Sequence, residues 1–126
     1  MCVCAWQVAF YWVCRDDAEF ESFRDLLIGI VDDRRLAAVF ELNTYITGEV
    51  DLKKVGPQHS YNQFAGRPDW NRVGRSLRKE YPASDVGVFV CGPAAISQQL
   101  RAMCDKYNPP KRVKGPPRFH FYKETF

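Results

Sequence analysis

Length, composition and charge place this chain of 126 residues among ordinary globular proteins. Hydrophobic residues make up 46% of it and charged residues 26%, a balance that excludes intrinsic disorder and fibrous repeats. No apolar run approaches the roughly 18 residues that a membrane-spanning helix needs, so we expect this segment to be soluble. The net charge of +3 is too small to indicate nucleic acid as a partner.

Five cysteines form an odd set without the Cys-x-x-Cys spacing of a zinc site. The N-terminal residues also lack the basic and apolar regions of a secretory signal. These features predict a reducing, cytosolic setting without disulfides. His59 and His120 have no cysteine or carboxylate at ligand spacing, so we expect no metal site.

The first part of the chain predicts a strand, a helix and a second strand. Residues 8–13 are continuously apolar, as in a strand buried on both faces. Asp16, with Glu19 three positions later, predicts a capping box at the start of an amphipathic helix that runs to Val31. Residues 40–47 alternate apolar with polar or small side chains, which predicts a half-buried strand near the edge of a sheet.

Two stretches sustain no period, and we predict surface loops there. Residues 49–65 are punctuated by Gly56-Pro57, and residues 108–117 are basic and rich in proline. Long surface loops often carry function.

The second half of the chain repeats the alternation of helix and strand. A helix is predicted over 69–81, a central parallel strand over 86–91, a helix between Pro93 and Pro109, and an alternating aromatic strand over 118–123. Strands that alternate with helices predict an α/β fold with a mostly parallel sheet and right-handed crossovers.

Ligands of open α/β sheets bind beyond the carboxyl ends of the strands, which here are Cys14-Arg15, Thr47-Gly48 and Cys91-Gly92-Pro93. Gly92 lacks a side chain where a planar ring would approach the backbone. Pro93 suits the first helical position, which aims free N–H groups and the helix dipole at a ligand. Cys91 would then face the bound ring. The alternative is an ordinary strand-to-helix turn with a buried thiol.

Two arginines are candidate phosphate ligands. Arg15 follows a predicted strand, and Arg67 stands between Gly66 and Pro68, immediately before a predicted helix. A guanidinium binds phosphate through charge-assisted hydrogen bonds. For each arginine the alternative is a charge that is solvated by water.

Four segments follow one another in a recognisable order: Phe10 to Asp16, Gly66 to Trp70, Val86 to Pro93 and Phe121 to Phe126. Together they resemble the C-terminal NADPH-binding part of the NADPH oxidase family, and the likeness spans residues 8–126. It implies a Rossmann-like NADP-binding domain of the ferredoxin reductase type, with helices flanking the sheet. In that family NADPH gives a hydride to FAD, and electrons then cross a haem-bearing membrane domain to reduce dioxygen to superoxide.

The resemblance also implies partners and a location. The partners would be the FAD-binding and membrane haem domains of a longer parent, together with cytosolic regulatory proteins. The segment itself would lie at the cytosolic face of a membrane.

The resemblance further implies roles for individual residues. Arg15 and Arg67 would contact the adenosine 2′-phosphate region and select NADPH over NADH. Phe126 would cover the flavin ring as a movable gate, and Glu124 keeps the acid of the family's Glu-Asn-Phe ending. The candidates for the hydride-transfer site are therefore Cys91 and Phe126. The candidates for cofactor binding are Cys14, Arg15, Arg67, Gly92, Pro93 and Glu124.

One departure from the family lies at the N-terminal end. The family's first strand and its glycine-rich pyrophosphate turn have no counterpart before Val8, and residues 1–7, which we interpret as a leader, contain no glycine. We therefore expect residues 1–126 to form a partial NADPH-binding domain that is inactive alone. We also expect it to bind NADPH weakly, because that turn normally supplies much of the anion recognition.

Two other interpretations remain open. A ferric or other metal reductase shares this module and differs mainly in its membrane part. A shortened, non-catalytic interaction module would instead dock the basic side of the helix over 69–81 onto a regulatory protein, using Arg72, Arg75 and Lys79.

Overall fold

Strands and helices alternate along the chain in the computed structural model, which describes residues 6–49, 51, 56–58, 61–115 and 117–124. The elements are β1 (Val8–Cys14), α1 (Asp17–Asp32), α2 (Arg34–Ala37), β2 (Phe40–Ile46), β3 (Gly56–Gln58), β4 (Tyr61–Ala65), α3 (Trp70–Glu80), β5 (Val86–Cys91), α4 (Ala94–Tyr107) and β6 (Phe119–Glu124). The chain divides into two compact units, Met1–Pro68 and Asp69–Phe126. No helix of the described part combines the length and the apolar character that a bilayer crossing requires.

The first unit is built on a four-stranded sheet in the order β1-β2-β4-β3. β1, β2 and β4 run parallel, and β3 pairs antiparallel with β4. One face of this sheet packs against α1, and the buried cluster between them consists of Cys14, Phe20, Leu27, Val31, Leu42, Ile46 and Tyr61. Burying one such side chain contributes about 1.5–3 kcal/mol, so this cluster is what holds α1 on the sheet.

The predicted capping box at the start of α1 is confirmed. The Asp16 carboxylate accepts a hydrogen bond from the Glu19 amide at 3.1 Å. In return, the Arg15 amide donates to Oε2 of Glu19 at 3.4 Å. The Glu19 amide, one of those that a helix start leaves without a partner, is thereby satisfied, and so is the amide of Arg15, the residue before the N-cap.

The prediction of a surface loop over residues 49–65 is wrong for its second half, which forms β3 and β4. The buried positions of β4 include an amide instead of a hydrocarbon: Gln63 is 5% exposed and donates to Asp17 at 3.4 Å. Asn62 donates to the side chain of Asn43 at 3.1 Å, and its carbonyl accepts from the Thr44 hydroxyl at 3.1 Å. A strand whose buried side chains include an amide with a polar partner has no hydrophobic period to detect.

β4 also changes the position of its neighbours. β2 lies between β1 and β4, one strand in from the end of the described order, in agreement with the prediction of a strand near the sheet edge. β1 is the last strand in the order and is not buried on both faces. Val8 is 50% exposed, and Tyr11 stacks on Tyr45 at 6.4 Å on the face opposite Phe10 and Trp12. Aromatic residues on both faces gave β1 the continuously apolar sequence of a doubly covered strand.

The second unit contains the parallel pair β5 and β6, whose register matches Val86 with Phe119 and Cys91 with Glu124. One face of this pair contributes to a buried cluster with α4, consisting of Val90, Leu100, Met103, Cys104, Tyr107 and Phe119. The Asn108 side chain accepts from the Phe119 amide at 2.6 Å and donates to its carbonyl at 3.0 Å.

The α/β class and the parallel strands are thus confirmed, but the described strands form two small sheets where one was expected. β5 was predicted as a central strand. Among the described residues it pairs only with β6.

α3 and α4 approach each other closely at Gly74. A Cβ atom added there would lie 2.6 Å from Cγ of Met103 and 2.8 Å from Cδ2 of Tyr107, both of which are buried. Gly29, in α1, has no neighbour within 4 Å of an added Cβ atom. The two glycines therefore form a matched pair for measuring how tightly α3 packs on α4.

We predict that Gly74→Ala lowers the free energy of unfolding by about 1–3 kcal/mol, because overpacking outweighs the gain in helix propensity. Gly29→Ala should raise it by up to about 1 kcal/mol, since alanine is the better helix former and the space is open. Urea unfolding of the 126-residue chain measures both. Equal stability of the two variants would show that α3 and α4 are not in close contact at Gly74.

Candidate functional site

The carboxyl ends of β1, β2 and β4 are joined by main-chain hydrogen bonds that continue beyond the strands. The amides of Thr47 and Gly48 donate to the carbonyls of Cys14 and Arg15 at 2.9 and 2.8 Å, and the Gly66 amide donates to the Ile46 carbonyl at 2.8 Å. Arg15 and the residue after Gly66, Arg67, therefore follow the two strands that flank β2. The structure brings the two predicted phosphate ligands to the same edge of one sheet.

Both guanidinium groups at this edge belong to exposed residues. Within the described part of the chain, neither Arg15 nor Arg67 forms an ion pair with a carboxylate. Arg24 shows the contrast, because its guanidinium binds Asp17 and Glu21 at 3.0 and 2.7 Å. No carboxylate of the described residues thus occupies the hydrogen-bond donors of Arg15 and Arg67, which is what a phosphate ligand would require.

The helix that starts beside this edge offers no anion site of its own. The Asp16 carboxylate already caps the Glu19 amide, and the first turn of α1 carries Asp17 and Glu19. These negative charges oppose the attraction that a helix N-terminus otherwise exerts on a phosphate. Recognition of an anion here therefore depends on the arginine side chains.

Cys14 occupies a different environment from Arg15. It is 5% exposed within the core cluster, and its thiol lies 3.8 Å from the Tyr45 carbonyl. Burial, reinforced by the nearby Glu19 carboxylate, raises the pKa of this thiol. The structure does not present the Cys14 thiol to a ligand, and only its main-chain carbonyl contributes to the strand-end hydrogen bonds.

In the second unit, Cys91 and Glu124 are neighbours in the parallel pair at the carboxyl ends of β5 and β6. Both are exposed, so the alternative of a buried thiol at Cys91 is wrong. Gly92 follows with its missing side chain facing open space, since an added Cβ atom would meet nothing within 4 Å. This opening is what the approach of a planar ring to the backbone requires.

Pro93 is the N-cap of α4. The sequence had predicted it at the first helical position, which is one residue later. It provides no side-chain cap, and the first turn of α4 contains no acidic residue. The positive end of the α4 dipole thus faces no acidic side chain of its own first turn, in contrast to that of α1.

Phe126 and Thr125 lie outside the described residues. The predicted meeting of Phe126 with the Cys91-Gly92-Pro93 corner therefore stays a prediction.

The structure also shows a feature that the sequence reasoning missed. The face of β5 and β6 that carries Cys91 and Glu124 also carries Phe89 and Tyr122, whose rings stack at 4.8 Å with an interplanar angle of 15°. Phe89 is 74% exposed. Strict alternation along β5 and β6 would have placed these residues on one face, but the apolar sequence of β5 indicated burial on both.

A surface depression and the arrangement of possible metal ligands were also compared with the predicted site. A shallow depression of about 330 Å³ over α4 and β6 includes none of the predicted site residues, and Asn108 and Phe119 within it bind each other. Among the described residues no group of histidine, cysteine and carboxylate side chains is arranged to hold a metal ion.

Known proteins resemble this chain over nearly its whole length. It matches the ferric reductase NAD binding domain family over residues 4–63 and 52–105. NADPH oxidase 3 of Rattus norvegicus is 33% identical over 95% of the chain, and the human NADPH oxidase 3 is 31% identical over 95%. A superoxide-generating NADPH oxidase heavy chain of Dictyostelium discoideum is 32% identical over 95%.

The chain spans 23% of both NADPH oxidase 3 proteins and 25% of the Dictyostelium protein, about a quarter of the length of the curated relatives it matches. The family match covers most of the chain, and the α/β fold with parallel strands agrees with it. The chain therefore belongs to the ferric reductase NAD binding domain family.

Proposed function

We propose that this chain is the NADPH-binding segment of a superoxide-generating NADPH oxidase and acts at the cytosolic face of a membrane. In the complete protein NADPH supplies a hydride to FAD, which a domain outside this chain holds, and electrons then pass through haem to dioxygen. The chain's own residues bind and orient the nicotinamide dinucleotide, and alone they do not complete the reaction. FAD-binding and haem domains of the parent are the partners, together with cytosolic regulatory proteins.

The observation that carries this proposal is the convergence of Arg15 and Arg67 on one sheet edge. NADPH differs from NADH only by the adenosine 2′-phosphate, so selective binding needs cations that are reserved for that group. Arg15 and Arg67 are exposed and form no ion pairs within the described residues. The acidic start of α1 does not attract a phosphate, so the two arginines would bind it. Bidentate hydrogen bonds from arginine suit a phosphate.

The nicotinamide end of the ligand is assigned to the corner Cys91-Gly92-Pro93. The open side of Gly92 supports the approach of a ring to the backbone, and Cys91 and Glu124 lie beside it on an exposed face. Phe126 acts in this proposal as the gate that covers the flavin until nicotinamide displaces it. The residues supply distance and orientation, while the cofactors supply the redox chemistry.

A ferric or other metal reductase is the second candidate, and the match to the ferric reductase NAD binding domain family is what supports it. It uses the same dinucleotide chemistry and delivers the electrons to a metal ion. A non-catalytic docking role is the third candidate. It rests on the exposed positions of Arg72, Arg75 and Lys79 along α3.

Replacing both Arg15 and Arg67 with alanine should abolish the preference for NADPH over NADH. Each charge-assisted hydrogen bond contributes about 1.5–3 kcal/mol, so we expect the ratio of the NADH to the NADPH dissociation constant to fall at least about tenfold. Titration of the 126-residue chain followed by NMR measures both constants even where binding is weak.

The matched control reverses three basic residues of α3, as Arg72→Glu, Arg75→Glu and Lys79→Glu. It should leave the ratio unchanged, because these side chains lie on α3 and not at the strand ends. Loss of the ratio in this control, with the Arg15 and Arg67 variant unaffected, would contradict the site and favour the docking role.

Saturating NADPH should protect Cys91 from iodoacetamide. Cys91 is exposed, whereas Cys14 and Cys104 are buried, and burial raises the pKa of the Cys104 thiol to about 11. At pH 8 the two buried thiols should therefore react only upon unfolding, because the thiolate is the nucleophile. Mass spectrometry of the peptides reports each cysteine separately. Unchanged labelling of Cys91 at saturating NADPH would remove Cys91 from the site.

Deletion of Phe126 should change NADPH-dependent superoxide output in the full-length parent, because the proposed gate over the flavin is lost. Phe126→Trp keeps an aromatic ring and is expected to retain the parental NADPH dependence. Steady-state oxidation of NADPH and superoxide formation are the measurements. If both stay at parental values after the deletion, Phe126 is not a gate.

A further inference from the structure

The segment Thr47-Gly48, directly after β2, lies against the main chain of Arg15. The Gly48 amide donates to the Arg15 carbonyl at 2.8 Å. Thr47 binds the preceding carbonyl, that of Cys14, twice: through its amide at 2.9 Å and through its hydroxyl at 3.3 Å. Two successive carbonyls at the end of β1 are thus held by two successive residues at the end of β2.

The Arg15 peptide is also held from its other side. Its amide donates to the Glu19 carboxylate at 3.4 Å, within the capping box that starts α1. Both main-chain polar groups of Arg15 therefore have partners, one in α1 and one in the segment after β2. The direction in which the exposed Arg15 side chain leaves the sheet edge depends on these contacts.

Position 48 has no room for a side chain unless the Arg15 backbone shifts. An added Cβ atom would lie 2.6 Å from the Arg15 carbonyl oxygen, 3.5 Å from its Cγ and 3.6 Å from its carbonyl carbon. The closest atom is a backbone oxygen, which cannot move aside as the end of a flexible side chain can. The glycines with positive φ are Gly66, Gly92 and Gly115 in the described residues, so Gly48 is required here for close approach and not for its backbone conformation.

We infer that Thr47 and Gly48 are positioning residues that set the selectivity for NADPH by fixing the direction of Arg15. This inference rests on the proposed function, in which Arg15 binds the adenosine 2′-phosphate. Because NADH lacks that phosphate, a displaced Arg15 weakens the binding of NADPH and leaves that of NADH unchanged. A purely structural role would instead lower stability and affect both dinucleotides equally.

The test compares Gly48→Ala, Arg15→Ala and Gly29→Ala in the 126-residue chain, with NADPH and NADH as the two probes. NMR titration gives the ratio of the NADH to the NADPH dissociation constant, and urea unfolding gives stability. Gly48→Ala should lower the ratio roughly tenfold, the factor expected when one charge-assisted hydrogen bond is lost. It should also shift the Arg15 amide resonance without any ligand. Gly29→Ala, whose added Cβ atom meets nothing within 4 Å, should retain the parental ratio.

Thr47 supplies a second, milder variant in case Gly48→Ala does not fold. Thr47→Val keeps the branched shape and removes only the hydroxyl bond to Cys14, so the ratio should fall roughly threefold. Thr47→Ser keeps the hydroxyl and should restore the parental ratio.

The measurements distinguish a failure of the phosphate contact of Arg15 from a failure of the positioning role of Thr47 and Gly48. If Arg15→Ala leaves the ratio unchanged, Arg15 does not bind the 2′-phosphate, and the proposed function loses its central contact together with this inference. If Arg15→Ala lowers the ratio while folded Gly48→Ala and Thr47→Val keep the parental value, the phosphate site stands and the positioning role is overturned.

Discussion

The site depends on the main-chain hydrogen bonds that join the carboxyl ends of three parallel strands. Thr47, Gly48 and Gly66 donate across β1, β2 and β4 at 2.8–2.9 Å, beyond the last paired residues of the sheet. Two arginines that are far apart in sequence follow the outer strands of this set. Neighbouring strands fix the backbone there, so the side chains of Arg15 and Arg67 start from defined positions. Binding a phosphate would therefore need to order only these two side chains and not the backbone that carries them.

The two helix starts that follow strand ends are chemically opposite. α1 begins with Asp16 as its cap and two further acids in its first turn, whereas α4 begins at Pro93 with no side-chain cap and no acid. The first turn of α1 therefore opposes a negatively charged group, whereas the first turn of α4 carries no acidic side chain that would oppose one. In the proposed function the 2′-phosphate near α1 is therefore bound by the arginine side chains and not by the helix start.

Sequence patterns predicted the helices and strands that bury hydrocarbon side chains and that have capping or helix-breaking residues at their ends. The capping box at Asp16, the helix after Pro93 and the four strands near 8–13, 40–47, 86–91 and 118–123 are of this kind. β4 was missed because its buried Gln63 is an amide that binds the Asp17 carboxylate, which no hydrophobic period reveals. The close approach of Gly48 to Arg15 joins residues 33 positions apart, and such a contact becomes visible only when the strands are placed side by side.

The most direct test of the account is a map of amide NMR shifts as the chain is titrated first with NADH and then with NADPH. The account predicts that amides at Gly92 and the start of α4 shift with both dinucleotides. Amides at Arg15, Gly48, Gly66 and Arg67 should shift only with NADPH, because only NADPH carries the 2′-phosphate. Identical shifts with both dinucleotides, or shifts confined to the basic side of α3, would contradict it.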